Sequence, residues 1–250
     1  TLARALHELG VPHPLHIHGS NLGVAGNIQS TLDTIAALEG LPAHLTHIQF
    51  HAYGTEGPKK CSSAALQLAE AVNANKNISI DVGQIIFGQT VTASGDTMRQ
   101  HANSGLANPR KWIGADIECD AGCGVVPFRY REASYVNALQ WAIGLEIFLL
   151  VDDPWRVVLT TDHPNGGPFT SYPHLIRLLM DREFRNEQLA RLHPDVAANS
   201  ALKDIKRELT LDEIAVMTRA GPARLLGLKD HGHLGVGAVA FVLANLAARV

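Results

Sequence analysis

The sequence predicts an α/β fold built around a parallel sheet, and three observations support this prediction. Short apolar segments typical of buried strands alternate with amphipathic segments typical of helices. The first two strand segments end at His18 and His51, and the third ends at Val82, so that the ends recur about every 30 residues. One strand and one crossover helix occupy this length, and such alternation requires parallel strands.

The helices are predicted where apolar residues recur at spacings of three and four. Leu2, Leu6 and Leu9 define the first such face, and Gly10 ends it. Thr210 and Glu213 have the spacing of a capping box, which predicts that a helix begins there and runs to about residue 219. The remaining helices are predicted over residues 27–38, 62–73, 135–150, 173–181 and 183–192.

The strands are predicted where short apolar runs end in turn-forming residues. Strand segments are expected over residues 11–18, 45–51, 78–82 and 157–162. Between the last two, residues 83–134 are rich in Gly, Asn, Thr and Pro and exceed the length of an ordinary connection. We therefore expect an insertion that passes over a site or a partner surface.

Bulk composition excludes several classes of protein. The chain has 250 residues, 46% hydrophobic and 18% charged, and its formal net charge is -3, which favours neither nucleic acid nor an anionic membrane as a partner. No apolar run reaches the roughly 18 residues that a membrane span needs, and no signal peptide is recognisable. The three cysteines do not suggest a disulfide scaffold. A cytoplasmic globular protein is expected.

Side chains suited to metal binding lie at the predicted strand ends. His18, His51 and Asp162 should meet at one edge of the sheet, because the carboxyl ends of parallel strands lie together. Two imidazoles and a carboxylate suit zinc or a similar divalent ion, and Asp162 is also the candidate to carry a proton during catalysis. Taken singly, each histidine is equally explained as a structural residue, and Asp162 as the cap of the next helix.

Neighbouring polar residues are candidates for supporting roles. His16 and His47 precede the predicted ligands and are expected to lie deeper, where they would orient a ligand ring. His163, Asn21 and Asn165 lie in the adjoining loops and are candidates for substrate contact. Turn conformation explains the two asparagines equally well.

Six spaced motifs stand out along the chain: PLHIHGSNLG at 14–23, HIQFHAYG at 47–54, VGQIIFG at 82–88, QWAIGLE at 140–146, TTDHPNGGPF at 160–169 and GHLGVG at 232–237. Together they resemble the A subunit of formylmethanofuran dehydrogenase and its bacterial relative in the formyltransferase/hydrolase complex, within the amidohydrolase superfamily. The resemblance covers nearly the whole chain to about residue 238.

The resemblance implies the C-terminal half of a (β/α)8 TIM barrel with a metal site at its mouth. Residues 1–230 would form the partial barrel, with the insertion at about 83–134, and residues 231–250 would begin a truncated or aberrant C-terminal segment. His18 and His51 match the metal ligands of barrel strands five and six, and Asp162 matches the strand-eight aspartate. The outer histidine of each pair is preferred because it borders the loop.

The implied function is interconversion of N-formylmethanofuran and formate plus methanofuran in one-carbon metabolism, together with the other subunits of the complex. The implied cofactor is zinc, binuclear in the complete enzyme. The histidine pair of the first barrel strand and the bridging lysine are not found in this sequence, so the chain by itself is expected to be inactive. Two alternatives stay open: an amidohydrolase acting on another amide or cyclic amide, and a non-catalytic scaffold subunit.

Overall fold

The computed structural model describes residues 1–19, 21–57, 59–94 and 124–239, without the side chains of 92–94 and 124–126. Most of the predicted insertion, residues 95–123, and the end of the chain, residues 240–250, lie outside the described residues. The division at about residue 230 therefore stays a prediction. None of the helices in the described part of the chain is long and apolar enough to cross a membrane.

Four parallel strands form the central sheet, as the sequence predicts. They are β1 (Leu15–Ile17), β2 (Ala43–Leu45), β5 (Ile78–Asp81) and β8 (Val157–Val158), in the order β1-β2-β5-β8. The register aligns His16 with His44, and His44 with Ser79. Because the strands are parallel and follow their order along the chain, helical crossovers connect them on one side.

Two short antiparallel ladders lie outside this sheet. The first pairs β3 (Tyr53–Gly54) with β4 (Ser62–Ser63), and the second pairs β6 (Gly88–Ser94) with β7 (Gly124–Tyr130). The second ladder forms the two ends of the predicted insertion. Its Thr90 hydroxyl donates a hydrogen bond to the Pro164 carbonyl, which joins the ladder to the loop that follows β8.

Seven of the helices among the described residues lie at the predicted positions, whereas Pro194–Asn199 and Gly221–Leu225 are not predicted as helices. The longest helix, Tyr135–Leu150, begins and ends where the sequence predicts, and its Ser134 cap accepts a hydrogen bond from the Asn137 N–H. The predicted capping box of Thr210 and Glu213 is present and begins the helix Leu211–Ala215. The helices are α1 (Leu2–Glu8), α2 (Ile28–Ala37), α3 (Ala65–Ala74), α4 (Tyr135–Leu150), α5 (Tyr172–Met180), α6 (Arg182–Leu189), α7 (Pro194–Asn199), α8 (Leu211–Ala215) and α9 (Gly221–Leu225). A π-helical segment, Val216–Ala220, joins α8 to α9.

The strand predicted over residues 45–51 is wrong beyond its first residue, because the observed strand covers Ala43–Leu45. The strand ends at Leu45, and Ile48–His51 forms a 3-10 turn. His47 begins this turn in the left-handed region, with a φ of 37°. Since a strand cannot continue through such a residue, His51 is not a strand-end residue. The strand predicted over residues 157–162 is likewise shorter, because only Val157 and Val158 pair with β5.

The two faces of the central sheet differ in chemistry. One face is apolar and buried in the core with the helices, and it carries Ala43, Leu45, Ile78, Ile80, Val157 and Leu159. The other face is mainly polar and lines a cavity of about 620 Å³, and it carries His16, His18, His44, Thr46, Asp81, Val158, Thr160 and Asp162. Alternation of side chains along each strand produces this division. A polar inner face is what a barrel needs for chemistry inside its mouth.

A buried carboxylate joins α4 to the segment after α7. Glu146 is 1% exposed, and its oxygens accept hydrogen bonds from Ser63 (2.5 Å), Ser200 (2.7 Å) and the Ala201 N–H (2.9 Å). Burial raises the pKa of this carboxyl above its ordinary value, although the four groups that donate to it, including the Leu202 N–H, act in the opposite direction. The protonated form therefore persists to a higher pH in the folded protein than in the unfolded chain.

Glu146→Gln should change the pH dependence of stability. Because folding raises the pKa, the protonated carboxyl stabilises the fold fully below about pH 4.5, and this stabilisation is lost as the pH rises towards the folded pKa. The glutamine amide does not ionise. The free energy of unfolding of the variant should therefore rise relative to that of the native protein between pH 4 and pH 7. Urea unfolding at several pH values measures this difference, with Glu70→Gln at an exposed helix position as the control. A constant difference across that pH range would contradict the raised pKa.

Candidate metal centre

Left-handed residues follow three of the four central strands. His47 follows β2 with a φ of 37°, Gly83 follows β5 with a φ of 71°, and Asp162 follows β8 with a φ of 51°. This conformation is uncommon for residues other than glycine and collects at functional sites. Each strand therefore turns sharply at the same edge of the sheet, which is the edge where the sequence predicts a metal.

His18 and His47 face each other at this edge. Their ring nitrogens, Nδ1 of His18 and Nε2 of His47, lie 3.0 Å apart. Two nitrogens bound to one tetrahedral zinc ion at about 2.0–2.1 Å are separated by roughly 3.3 Å. The other nitrogen of His47, Nδ1, is buried and has no hydrogen-bond partner among the described residues. The pair is therefore spaced for one shared ion with little adjustment.

Asp162 lies beside this pair, across the backbone of Gly83. A Cβ atom at Gly83 would lie 2.8 Å from the His47 Cβ and 3.3 Å from the Asp162 Cβ. Asn165 Nδ2 donates to Asp162 Oδ2 at 3.0 Å, and the Asp162 N–H donates to Thr160 Oγ1 at 2.9 Å. The carboxylate is thus held by its own loop with Oδ1 left for another contact.

His51 does not occupy the position that the sequence predicts. It is 3% exposed, and its ring stacks on His47 with the centroids 5.5 Å apart. A Cβ at Gly19 would lie 2.6 Å from its Cε1 atom, so His51 lies directly beneath the loop after β1. The structure brings His47 rather than His51 against His18. The reason is the 3-10 turn, which replaces the predicted strand and carries His51 away from the strand end.

The predicted substrate residues make contacts within the chain. Asn21 is buried and donates to Ser30 Oγ at 3.2 Å, which makes it part of the loop's own network. Asn165 holds Asp162. His163 accepts a hydrogen bond from the Phe169 N–H at 3.1 Å, yet it also lines the cavity and is exposed. His163 is therefore the predicted residue best placed to meet a substrate.

Gly166, the first of the two glycines after Asn165, is required by the chain's own backbone. A Cβ at Gly166 would lie 2.5 Å from the Thr161 carbonyl oxygen and 2.8 Å from that of Gln84. The Gly166 carbonyl also accepts the Ile86 N–H at 2.8 Å. Close approach of two backbone segments explains this turn without reference to a substrate.

Sequence reasoning missed His44 and Asp81. Nε2 of His44 lies 3.1 Å from Asp81 Oδ2, and Asp81 Oδ1 accepts the His47 N–H at 2.8 Å. Burial of Asp81 opposes its ionisation, but the hydrogen bonds from His44 and His47 outweigh this and hold its pKa below the ordinary value. The alternation of side chains along a strand could have identified them, because it places His44 and Asp81 on the same sheet face as His16.

His16 precedes His18 on the same face of β1 but is exposed, so its expected supporting position stays a prediction. Its Nε2 atom lies 2.6 Å from Thr46 Oγ1, and its ring centroid lies 5.0 Å from that of His44. Burial and the neighbouring His44 lower the pKa of His16. Its neutral form is therefore favoured near neutral pH. His16, His44 and Asp81 each place a ligand atom within 4.8 Å of the others.

Gly83→Ala should lower the free energy of unfolding more than Gly40→Ala, which serves as its matched control. Both glycines have a positive φ, but a Cβ at Gly40 meets no atom within 4 Å, whereas one at Gly83 meets His47 and Asp162. Gly40→Ala should cost about 1–2 kcal/mol for the left-handed backbone alone. Gly83→Ala should cost about 1–3 kcal/mol more and weaken zinc binding. Urea unfolding and zinc titration measure both effects, and equal costs at the two positions would contradict the close approach.

Comparisons with known proteins agree with this architecture. Residues 1–245 match the model of the Amidohydrolase family. The chain is 49% identical over 246 residues to the A subunit of the formyltransferase/hydrolase complex Fhc of Methylorubrum extorquens, covering 96% of this chain and 45% of that protein. It is 43% identical over 252 residues to Protein FwdA of Methanocaldococcus jannaschii, covering 96% and 44%. The chain thus spans about half the length of these relatives.

A solved structure also matches this chain in fold and sequence. The crystal structure of the formyltransferase/hydrolase complex FhcABCD from Methylorubrum extorquens, in complex with methylofuran, matches with a TM-score of 0.81 and 51% identity. The match covers 95% of this chain and 44% of that one. The resemblance carried by the six motifs and the α/β fold with a parallel sheet are both confirmed. The chain belongs to the amidohydrolase family.

Proposed function

We propose that this chain is part of the A subunit of a cytoplasmic formylmethanofuran dehydrogenase or formyltransferase/hydrolase complex. The reaction is the interconversion of N-formylmethanofuran and water with formate and methanofuran, in one-carbon metabolism. The observation that supports it most directly is the 49% identity that extends over 96% of the chain. The other subunits of the complex would be its partners, and a methanofuran-type formamide its substrate.

His18, His47 and Asp162 are the residues that would hold the metal. His47 takes the place predicted for His51, because its ring nitrogen lies 3.0 Å from that of His18. Two imidazoles and a carboxylate suit zinc. In the complete enzyme the centre would be binuclear, with a histidine pair and a bridging lysine supplied from outside residues 1–250.

The residues of this chain have separate roles in the proposed hydrolysis. Bound zinc would supply a Lewis acid that polarises the formamide and acidifies water. Asp162 accepts a proton from the attacking water and delivers it to the leaving amine nitrogen. Asn165 fixes Oδ2 of Asp162 at 3.0 Å, which directs Oδ1 towards the reacting groups. Since proton transfer by the same carboxylate works in both directions, the site suits formation of the formamide as well as its hydrolysis.

Asp162→Asn should abolish this activity without unfolding the protein. In the full-length complex, the rate of formate release from N-formylmethanofuran should fall at least about 100-fold, because the asparagine cannot carry the proton. Zinc content should fall as well. Asp152→Asn, at an exposed position, is the control and should retain both. Unchanged formate release and zinc content in Asp162→Asn would exclude the proposed reaction and favour a scaffold role, whereas zinc loss without any formamide activity in the native complex would indicate another amide substrate.

His47→Ala and His51→Ala distinguish the two assignments of the second imidazole ligand. Loss of His47 should remove zinc from the folded protein, whereas loss of His51 should lower stability by about 2–4 kcal/mol and leave zinc bound. Zinc per folded protein, measured after gel filtration, separates these results. The reverse pattern would restore His51 as the ligand.

A further inference from the structure

Beyond the mouth, the cavity side of the sheet carries a second group of metal-ligating side chains. His16 on β1, His44 on β2 and Asp81 at the end of β5 come from three neighbouring strands. Their ligand atoms all lie within 4.8 Å of one another, and among the described residues this is the group of three that meets that spacing. The parallel register, which pairs His16 with His44, keeps the three side chains together.

We propose that His16, His44 and Asp81 bind a further divalent transition-metal ion of the zinc class, separate from the centre proposed at the mouth of the barrel and one layer below it. Two imidazoles and one carboxylate are a ligand set that zinc and cobalt(II) accept. The 620 Å³ cavity adjoins all three residues, so water can occupy the remaining coordination position.

Asp81 is oriented for a single-oxygen contact with the ion. Oδ1 accepts the His47 N–H at 2.8 Å, which fixes the plane of the carboxylate. Oδ2 points to Nε2 of His44 at 3.1 Å. A separation of roughly 3.3 Å is expected for two ligand atoms on one tetrahedral zinc ion, so this pair needs only a small adjustment to share the ion.

His44 is supported as a metal ligand by the groups behind it. Its Nδ1 atom lies 2.9 Å from Ser79 Oγ, and that hydroxyl can donate in turn to the Ala43 carbonyl at 3.4 Å. With the ion bound, Nδ1 would carry the proton, and Nε2 would present its lone pair to the ion in place of the N–H that it donates to Asp81. Histidine ligands in metal sites regularly donate their second N–H in this way.

His16 completes the group from the neighbouring strand. Thr46 Oγ1, 2.6 Å from its Nε2, fixes the ring beside His44. The His16 ring centroid lies 5.0 Å from that of His44, so the two rings share one face of the sheet. The group uses none of the residues proposed to hold zinc at the mouth, although Asp81 touches the backbone of one of them.

Zinc titration of the intact protein tests the second site. The full-length protein, stripped with chelator, should bind one zinc more per chain than either His16→Gln or His44→Gln, whose folds are checked by circular dichroism. The control is His13→Gln, because His13 lines the same cavity without belonging to the group. It should retain the full zinc stoichiometry. Anomalous X-ray scattering at the zinc edge should place a peak among His16, His44 and Asp81.

Two outcomes would overturn the second site. The first is a zinc stoichiometry in folded His16→Gln and His44→Gln equal to that of the native protein. The second is a zinc-soaked crystal without an anomalous peak among the three residues. The loss of one zinc ion per chain does not depend on the site at the mouth. When His16→Gln or His44→Gln is added to the protein that carries Asp162→Asn, the zinc stoichiometry should still fall by one. If the protein proved inactive on formamides, this difference in zinc stoichiometry would remain the same.

Discussion

The parallel register of the central sheet is the constraint on which the whole site depends. It places His16 beside His44, and His44 beside Ser79, so that residues distant along the chain share one face. The opposite face is apolar and buried, which fixes the register because a slip of one residue would exchange the two faces. The free energy that holds the histidines together therefore comes from the burial of their apolar neighbours, such as Leu45 and Ile80.

Backbone strain accompanies this arrangement at the strand ends. His47 and Asp162 both adopt the left-handed conformation, which costs about 1–3 kcal/mol for each residue. Hydrogen bonds hold each of them in place, from the His47 N–H to Asp81 and from Asn165 to the Asp162 carboxylate. Gly83 permits the two residues to approach, because its missing side chain leaves the space between their Cβ atoms. The site is therefore shaped by backbone conformation as much as by ligand identity.

The sequence predicted the regular elements better than the turns between them. Helix α4 has the predicted bounds, and the repeat of about 30 residues predicted the parallel sheet, because buried segments obey simple periodicities. The stretch from His47 to His51 has the apolar residues of a strand, and a left-handed histidine leaves no pattern in the sequence, so the 3-10 turn is not predicted. For this reason the sequence places His51, rather than His47, at the strand end beside His18. His44 and Asp81 were missed because they lie within strands rather than in the loops that follow them.

Asp81 makes the mouth and the deeper group interdependent. One of its oxygens holds the backbone of His47, and the other faces His44. A cation bound by Oδ2 would draw electron density from the carboxylate and weaken the hydrogen bond that Oδ1 accepts. Relaxation of that bond would act on a residue already strained at φ 37°, whose ring lies 3.0 Å from His18. Binding of an ion at the proposed lower site and binding of zinc by the proposed upper ligands would thus be coupled through a single side chain, and by linkage each would change the affinity for the other by the same factor.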